Sequence, residues 1–244
     1  MVVKKTVFLH PLAYYKMAEN TNTQNGSESL EKVQSYFKEN RKSLTIIGLA
    51  IAVIVGGYYA YVKLYKEKNE KKAADTIWKA EYFFEKDSFQ LAIDGRADAS
   101  GSYMGFKKIA SKYSGTTAGN IASYCLGISY LNTGKFKQAI EALEESSFDD
   151  DFVACVAIGA QGDAYREMNK IDDAIEKYED AANRIINDFT TPIYLKKAAL
   201  AYEEKKNYKK AVEIYQRIYD EFEHSTEGRD IEKYLERAKS LSGK

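Results

Sequence analysis

The longest apolar segment of the chain lies between Lys42 and Lys63, where 20 uncharged residues follow one another. Nine of these residues are Leu, Ile or Val. A helix of this length spans about 30 Å, which is the hydrocarbon thickness of a bilayer. Tyrosines gather at its C-terminal end, as they do at a membrane interface. The pattern predicts a single transmembrane helix over residues 43–62.

The segments before the span differ from it in pattern. Residues 1–28 predict a disordered tail, because the stretch from Met17 is polar and the apolar stretch before it is short and interrupted by His10 and Pro11. Met17 is a candidate start of the protein beside Met1. Residues 29–42 predict a short amphipathic helix next to the span, because their apolar residues recur at helical spacing. The apolar run begins only at Ser43 and is too long for a cleavable signal peptide, so it predicts a lasting anchor.

A different pattern follows residue 119, where small and aromatic positions recur with a period of 35 to 37 residues. Each unit has a small residue, a tyrosine three positions later and an alanine twelve positions later: Gly127, Tyr130 and Ala139; Gly162, Tyr165 and Ala174; Ala199, Tyr202 and Ala211. A small residue on the first helix of a hairpin lets it pack closely on the alanine of the second, while the tyrosine fills the space toward the next unit. Residues 119–244 therefore predict three helical hairpins, closed by a capping helix from Asp230 to Leu241.

These units resemble the tetratricopeptide repeat, whose helix pairs carry Gly-x-x-Tyr in the first helix and an alanine in the second at a period of about 34 residues. The tryptophan and the closing proline of that pattern are absent from all three units. The resemblance implies an α-solenoid of about three clear units with degenerate capping helices. Together with the transmembrane helix that the apolar run predicts, the expected fold is all-α. The resemblance also implies a domain that binds other proteins.

Residues 63–118 predict a linker helix and a degenerate helix pair that caps the array on the side of the span. In the first helix of this pair the predicted core positions are Ala73, Ile77, Trp78 and Phe84, and in the second they are Met104, Phe106, Ile109 and Tyr113. The stretch "RADASGS" between them contains Gly and Ser and predicts a loop.

The composition fits a helical protein and disfavours a nucleic-acid partner. Lys plus Arg and Asp plus Glu number 36 each, so the formal net charge is zero. Cys125 and Cys155 stand in apolar helical contexts, which predicts two buried thiols, with a disulfide between them as the alternative. His10 and His224 show no ligand spacing to these cysteines, so we predict no metal site.

No stretch carries the pattern of a known catalytic or cofactor site. The phosphate-binding glycine loop, the Gly-x-Ser-x-Gly elbow and the His-Glu-x-x-His motif are absent from the sequence. The acidic run Asp149–Asp151 predicts a solvated loop between repeats rather than a calcium site. We therefore predict a protein that is not an enzyme and needs no cofactor; an enzyme subunit with an unrecognised site is the alternative.

The inner face of the first helices is the candidate surface for binding a polypeptide. Its predicted residues are Tyr124, Ile128, Leu131, Asp163, Arg166, Lys196 and Leu200. The Lys and Asn clamp with which some tetratricopeptide domains hold a C-terminal carboxylate is not present. A face that is apolar in the first unit and mixed in the later ones favours an apolar or amphipathic polypeptide. The alternative is that the neighbouring helix pair covers Ile128 and Leu131.

Small residues recur at every fourth position of the span and predict a stripe along one side of its helix; they are Gly48, Ala52, Gly56 and Ala60. In lipid, close approach through small residues is what makes the association of helices favourable. The stripe predicts contact with a second copy of the chain or with a partner helix. The alternative is that it faces lipid and has no function.

The order of these segments is similar to that of the ancillary subunit of the bacterial Sec translocon, in the form common among Bacteroidetes membrane proteins. The likeness covers residues 28–90 by arrangement and the remainder by repeat type. It implies an inner-membrane protein with a cytoplasmic N-terminus, a periplasmic repeat domain, and translocon subunits, chaperones or exported polypeptides as partners. Lys and Arg are nearly balanced on the two sides of the span, so charge alone does not decide the topology. The alternatives are a scaffold of another cell-envelope assembly complex and an adaptor that faces the cytoplasm.

Overall fold

The computed structural model describes residues 34–98 and 101–243. The tail predicted for residues 1–28, with its two candidate start residues, lies outside the described residues. The first part of the amphipathic helix predicted for residues 29–42 lies outside them too. Contacts between Cα atoms divide the chain after Leu64 into two compact units.

The N-terminal unit is helical and leaves its apolar side chains uncovered. Helix α1 covers residues 34–39 and α2 covers Arg41–Tyr61; the π-helical turn Val62–Lys66 continues past Leu64 into the second unit. No residue of α2 is buried. Among the residues that the structure describes, one helical stretch is long and apolar enough to cross a membrane, by length and composition, and α2 forms its apolar part. A Cβ added at Gly48 or Gly56 of the predicted stripe would meet nothing within 4 Å.

The second unit, Tyr65–Lys244, is the repeat domain, and it is built from antiparallel helix pairs joined by short turns. Its helices are α3 (Glu67–Glu85), α4 (Phe89–Asp94), α5 (Phe106–Lys112), α6 (Thr117–Asn132), α7 (Phe136–Glu145), α8 (Asp151–Glu167), α9 (Ile171–Arg184), α10 (Thr190–Glu204), α11 (Tyr208–Glu221) and α12 (Ile231–Ser242). A 3-10 turn at Gly228–Asp230 precedes α12. The capping helix predicted from Asp230 to Leu241 therefore begins and ends one residue later than expected.

A β-hairpin stands where the sequence predicts the loop "RADASGS". Its strands are β1 (Gly95–Asp98) and β2 (Gly101–Met104), which pair antiparallel with Gly95 opposite Met104. The neck of the hairpin is tight, because a Cβ added at Gly105 would overlap the backbone N of Gly95. The prediction of a loop was therefore wrong, and Met104, predicted on a helix, belongs to β2.

Tyr103 holds the hairpin against α3. Its ring stacks on Phe83 with centroids 5.0 Å apart and planes inclined by 13°, and its hydroxyl donates to the carbonyl of Leu91 at 3.1 Å. The residues of β1 and β2 contain no run of strand-favouring side chains, so this tertiary contact contributes more to the strands than local propensity does. That is why the sequence pattern did not predict them.

The turn between the two helices of a pair has one geometry throughout the described repeat domain. A residue with positive φ lies at each turn: Asp87 (52°), Gly134 (73°), Asn169 (58°) and Lys206 (59°). The N–H of the next residue donates to the carbonyl five residues before it, at 2.9 Å for Ser88, 2.8 Å for Lys135, 2.9 Å for Lys170 and 2.9 Å for Asn207. This is the hydrogen bond of a Schellman C-cap, and it ends the first helix of each pair at the same place.

These turns mark four helix pairs in the described part of the chain, one more than the clear units of the sequence pattern. The marks of the first pair are Ala80, Phe83 and Ala92, which are spaced like Gly127, Tyr130 and Ala139. The second helix of this pair stops at Asp94, and the chain becomes helical again at Phe106, after the hairpin. The pair predicted as degenerate over residues 63–118 therefore keeps the register of a full repeat. The hairpin displaces it from the period of the others.

The described part of the repeat domain has a core of its own, to which both helices of each pair contribute. One large cluster of buried residues, centred on α3 to α7, includes Phe106 and Ile109. A second, centred on α8 to α12, includes Tyr178 and Tyr215. Tyr165 packs against both clusters and so joins them. The N-terminal unit adds no buried apolar residue to either cluster among those described.

Three side chains singled out by the sequence take places that the structure now defines. Trp78, predicted in the core, is 57% exposed, because it lies about 100° round α3 from the buried Ile77. Cys125 and Cys155 are both buried and both free thiols, so they do not form the alternative disulfide. Burial raises the pKa of the Cys125 thiol to about 12, which keeps it protonated and unreactive near neutral pH.

Candidate functional site

Close packing within each repeat depends on the small residues that the sequence marks. A Cβ added at Gly127 would lie 2.5 Å from Leu143 Cγ. One added at Gly162 would lie 2.6 Å from Tyr178 Cε1. The marked alanines have no exposed area: Ala139, Ala174, Ala199 and Ala211. Of the marked tyrosines, Tyr130 is buried, and Tyr165 and Tyr202 are half-buried. These residues set the distance between the two helices of a pair.

The first helices of two neighbouring pairs, α8 and α10, contact each other through Gly159. A Cβ added at Gly159 would overlap the ring of Tyr194 on α10, and that ring is buried. Because α8 and α10 occupy the same place in successive repeats, their corresponding sides form one continuous surface, the inner face. Of the predicted binding residues, Asp163 and Arg166 belong to α8, Lys196 and Leu200 belong to α10, and the other three belong to α6, the first helix of the preceding pair: Tyr124, Ile128 and Leu131.

In the pair α6–α7 the inner face is apolar and partly covered. Tyr124 packs edge-on against Phe148, with ring centroids 5.9 Å apart. Ile128 packs against the small buried cluster that contains Leu143, and Leu131 packs against the first large cluster. All three predicted residues are half-buried. Neighbouring residues therefore cover these side chains in part and leave the remainder open.

Charged residues of the inner face pair across neighbouring repeats. Lys197 Nζ lies 2.8 Å from both carboxylate oxygens of Asp163. The same carboxylate accepts a hydrogen bond from the Tyr178 hydroxyl at 2.7 Å. Arg166 pairs with Glu204, with 2.9 Å between Nε and Oε1. The predicted binding residues Asp163 and Arg166 are thus engaged within the protein, and neither is placed to act as a clamp for an anion.

The same kind of pairing continues from α10 to the capping helix α12. Lys196 Nζ lies 4.8 Å from the ring centroid of Tyr234, and Arg237 bonds Glu203 at 2.5 Å. Leu200, the last predicted residue of the face, is half-buried on α10. The polar residues of the inner face are therefore engaged in contacts that link successive helices, and these contacts compete with binding to a ligand.

Buried tyrosines of the repeat domain are held as neutral phenols. Burial raises the pKa of Tyr178, Tyr194 and Tyr215 well above the ordinary value, and a neighbouring carboxylate adds to the effect in each case. Burial and a hydrogen bond to Glu179 raise the pKa of Tyr202 to about 12. Near neutral pH all four side chains are neutral, and the hydroxyls of Tyr178 and Tyr202 donate hydrogen bonds to Asp163 and Glu179. None of the four is tuned for proton transfer.

An exposed apolar strip, which the sequence analysis missed, runs over the N-terminal ends of α8 and α10. The strip consists of Phe152, Val156, Phe189 and Ile193, which are 44%, 36%, 75% and 38% exposed. Phe189 and Ile193 follow Phe152 and Val156 by 37 residues, which is also the distance from Gly162 to Ala199. The repeat period of the sequence therefore contains a signal for the strip, since both pairs of apolar residues keep it.

Another concave surface of the described residues is mainly polar. A groove of about 630 Å³ lies between α5, α6 and α7, and polar side chains such as Lys107, Gln138 and Glu141 line much of it. Within the described ranges, no group of three His, Cys, Asp or Glu side chains is placed to hold a metal ion.

The family model of the tetratricopeptide repeat matches residues 160–226. These residues run from α8 to the segment after α11, and they contain the turns at Asn169 and Lys206. The match supports a tetratricopeptide-repeat protein. No curated protein matches the chain. Tetratricopeptide repeats mediate contacts between proteins, which supports protein partners, and an all-α fold of such repeats is typically a scaffold without catalytic activity.

Proposed function

We propose that this chain is a membrane-anchored tetratricopeptide-repeat scaffold that binds polypeptides at a bacterial inner membrane. One observation carries the proposal: the chain combines an apolar helix that has no buried residue with an array of repeats that has its own core. On α2, Val53 and Ile54 are 72% and 69% exposed. Apolar surface left in water costs about 25 cal/mol for each Å², so this helix gains free energy by entering lipid.

The proposed topology places the N-terminus in the cytoplasm and the repeat domain in the periplasm. It rests on the resemblance to the ancillary subunit of the Sec translocon, since the charges near the span are nearly balanced. The same resemblance leads us to propose translocon subunits, periplasmic chaperones or exported polypeptides as partners. The partly open apolar residues of the inner face, which include Ile128 and Leu131, fit a polypeptide ligand better than a small anion.

The anchor is tested by charging the middle of α2. Ile51→Lys adds about 2.5–3.5 kcal/mol to the cost of insertion and Ile54→Lys adds as much again, so the two together add about 5–7 kcal/mol. This sum exceeds the roughly 3–5 kcal/mol that the apolar residues provide. We expect the full-length variant to leave the membrane fraction after an alkaline carbonate wash. Ser43→Lys at the edge of the span is the control and should stay with the membrane, because a lysine there reaches the interface. A double variant that still sediments with membranes would contradict the anchor.

The topology is tested with two reporters fused after Lys244. A phosphatase that is active only in the periplasm should be active, and a fluorescent protein that folds only in the cytoplasm should be dark. The reverse result would place the repeats in the cytoplasm and favour an adaptor on that side.

The partners are tested by photo-crosslinking in cells. A photoreactive residue at Leu200 on the inner face should capture translocon subunits, chaperones or exported chains, and one at the exposed Tyr219 of α11 should capture fewer. Predominant capture of cell-wall or outer-membrane assembly proteins would instead favour the scaffold of another envelope complex. Capture of no polypeptide from either position would contradict the proposed function.

A further inference from the structure

We infer that the apolar strip binds a cationic amphipathic polypeptide segment, whose aromatic or aliphatic side chains are flanked by Lys or Arg. The inference rests on the proposed function, because it assumes a domain that binds polypeptides. It adds the place where the segment is held and the chemistry that the segment must have.

The residues of the strip lie on α8 and on α10 or just before it, and contacts between these two helices place them side by side. Gly159 packs on Tyr194, and Asp163 pairs with Lys197, so the two helices run side by side in the same direction. Following both helices from these contacts toward their N-termini leads to Phe152 and Val156 on α8, and to Phe189 and Ile193 on α10 and just before it. The strip therefore crosses from one repeat to the next.

Phe189 is presented by a loop that hydrogen bonds hold in one conformation. Asn187 Oδ1 accepts from the N–H groups of Phe189 and Thr190, both at 2.8 Å. Asn187 Nδ2 donates to the carbonyl of Ile185 at 3.0 Å, and the Asn187 N–H donates to Thr191 Oγ1 at 3.0 Å. A side chain held in place before binding loses less entropy when it contacts a ligand. The hydrogen-bonded loop thus holds Phe189 in a position where 75% of its surface is exposed.

Carboxylates flank the strip at both of its aromatic residues. Asp149 stands three residues before Phe152, Asp188 stands one residue before Phe189, and both aspartates are exposed. The neighbouring Asp150 caps the N-terminus of α8, because its Oδ1 accepts a hydrogen bond from the N–H of Phe152 at 2.8 Å. Its carboxylate is therefore engaged within the protein. The exposed carboxylates favour a ligand with positive charge next to its apolar anchors.

The wider charge distribution points the same way. Residues 119–244 hold 18 Lys and Arg against 24 Asp and Glu, whereas residues 1–118 hold 18 against 12. Arg184, the cation nearest in sequence before Phe189, is bonded to Asp151 at 2.9 Å. A negatively charged repeat region attracts a cationic segment over a distance of several ångströms and repels an acidic one.

The chemistry of the strip fits one class of ligand. Exposed aromatic and branched aliphatic side chains gain free energy by packing on apolar anchors, so the ligand must have such anchors. The flanking carboxylates give the preference among apolar segments, because like charges placed beside them weaken binding. A cationic amphipathic segment satisfies both conditions.

The test uses the full-length protein in nanodiscs of zwitterionic lipid, with empty nanodiscs as the blank. Three fluorescent synthetic peptides carry the same Phe and Leu anchors, flanked by Lys, Ser or Glu, and their binding is measured by anisotropy. We expect the Lys peptide to bind most tightly, the Ser peptide more weakly and the Glu peptide not measurably. Added salt should weaken the binding of the Lys peptide, because salt screens exposed charges.

Variants of the protein locate the binding. Phe152→Ser with Phe189→Ser should weaken binding of the Lys peptide at least about tenfold. Asp149→Asn with Asp188→Asn should weaken the Lys peptide about threefold to tenfold and leave the Ser peptide unchanged. Tyr219→Ser removes an aromatic residue of similar exposure from α11 and should change neither. Unchanged circular dichroism melting shows that each variant is folded.

Three results would overturn the inference. They are equal binding of the Lys and Glu peptides, full binding by the double serine variant, and sedimentation showing wild-type self-association that the double serine variant loses, which would make a second copy the occupant. Peptide binding tests the inference about the strip independently of crosslinking in cells. If the double serine variant still captures polypeptides by crosslinking in cells, the proposed function stands without the strip; if the wild type captures none, the proposed function fails on its own.

Discussion

Gly162 shows how closely the repeat domain depends on single atoms. The atoms nearest to an added Cβ there belong to the ring of Tyr178, which is 1% exposed. The hydroxyl of that ring is bonded to Asp163, and Lys197 bonds the same carboxylate. The ring is therefore fixed at its far end by a residue of its own pair and by one of the next pair, and it cannot turn aside for a larger side chain.

We predict that Gly162→Leu destabilises the repeat domain by about 3 kcal/mol, because the added side chain overpacks the crossing of α8 and α9. Urea unfolding of the fragment that begins at Tyr65 measures the loss, since that fragment contains the whole described core. Glu167→Leu adds a leucine to the exposed end of the same helix and should change the free energy of unfolding by less than about 0.5 kcal/mol. Equal stability of the two variants would show that the crossing is elsewhere.

Sequence alone predicted Gly162 and its counterparts, because a tight crossing leaves a small residue at a fixed place in each unit. It did not predict which charges of the inner face are free for a ligand. Asp163 and Arg166 look available in the sequence, and their partners Lys197 and Glu204 become neighbours only when α8 and α10 lie side by side. Pairing between residues more than 30 positions apart follows from the packing angle of helices, which no local pattern encodes.

Tyr194 makes the free energy of unfolding of the repeat domain depend on pH in the alkaline range. Burial raises the pKa of its phenol above the ordinary value of about 10, so the unfolded chain releases this proton first as the pH rises. The stabilising contribution is complete below about pH 10 and is lost as the pH rises toward the folded-state pKa. We predict that Tyr194→Phe loses less free energy of unfolding between about pH 10 and pH 11.5 than the wild type does. Urea unfolding at both pH values, with pH 8 as the reference, checks this; equal slopes would contradict it.

At the scale of elements, the hairpin separates what the sequence could predict from what it could not. The period of 35 to 37 residues identified three pairs and their turns, because those units have no insertion. The pair α3–α4 has the same internal spacing from Ala80 to Ala92, but the residues that follow carry β1 and β2. A search by period loses such a pair. A search for the constant spacing within a pair would keep it.

We predict that the tip of the hairpin is dispensable and that Tyr103 is not. Replacing Ala97–Ser102 with an Asn-Gly turn keeps the pairing of Arg96 with Tyr103, and the removed Ala97, Gly101 and Ser102 are exposed, so stability should change by less than about 1 kcal/mol. Tyr103→Ser removes the stack on Phe83 and the hydrogen bond to Leu91, and should cost about 2 kcal/mol. Thermal unfolding of the two variants compares them, and a larger loss for the shortened tip would contradict the assignment.

At the scale of the whole repeat domain, stability passes from neighbour to neighbour. The second cluster ends in α12, which contributes the buried Ile231, Leu235 and Ala238, and the first cluster lies several helices away. In an array of this kind each pair depends mainly on the pairs next to it. Damage to the capping helix should therefore spread only part of the way along the domain.

We predict that Leu235→Ala lowers the free energy of unfolding by about 2–4 kcal/mol, because it leaves a cavity where a 3% exposed side chain was. Amide hydrogen exchange should accelerate in α10 and α11 and stay unchanged in α5 and α6. Leu241→Ala, at a half-buried position of the same helix, should have a smaller effect of the same kind. Uniform acceleration along the domain would show instead that it unfolds as one cooperative body.

The close approach of Gly95 and Gly105 makes the hairpin a side excursion of the chain from the first repeat. Because the backbone leaves and re-enters the helical layer at nearly the same place, what is attached at the tip does not change the separation of the helices that flank it. A peptide epitope or a fluorophore placed there would mark one known repeat without entering the core. Paired with a second label on α12, it would turn the length of the array into a distance that single-molecule fluorescence can follow while partners bind.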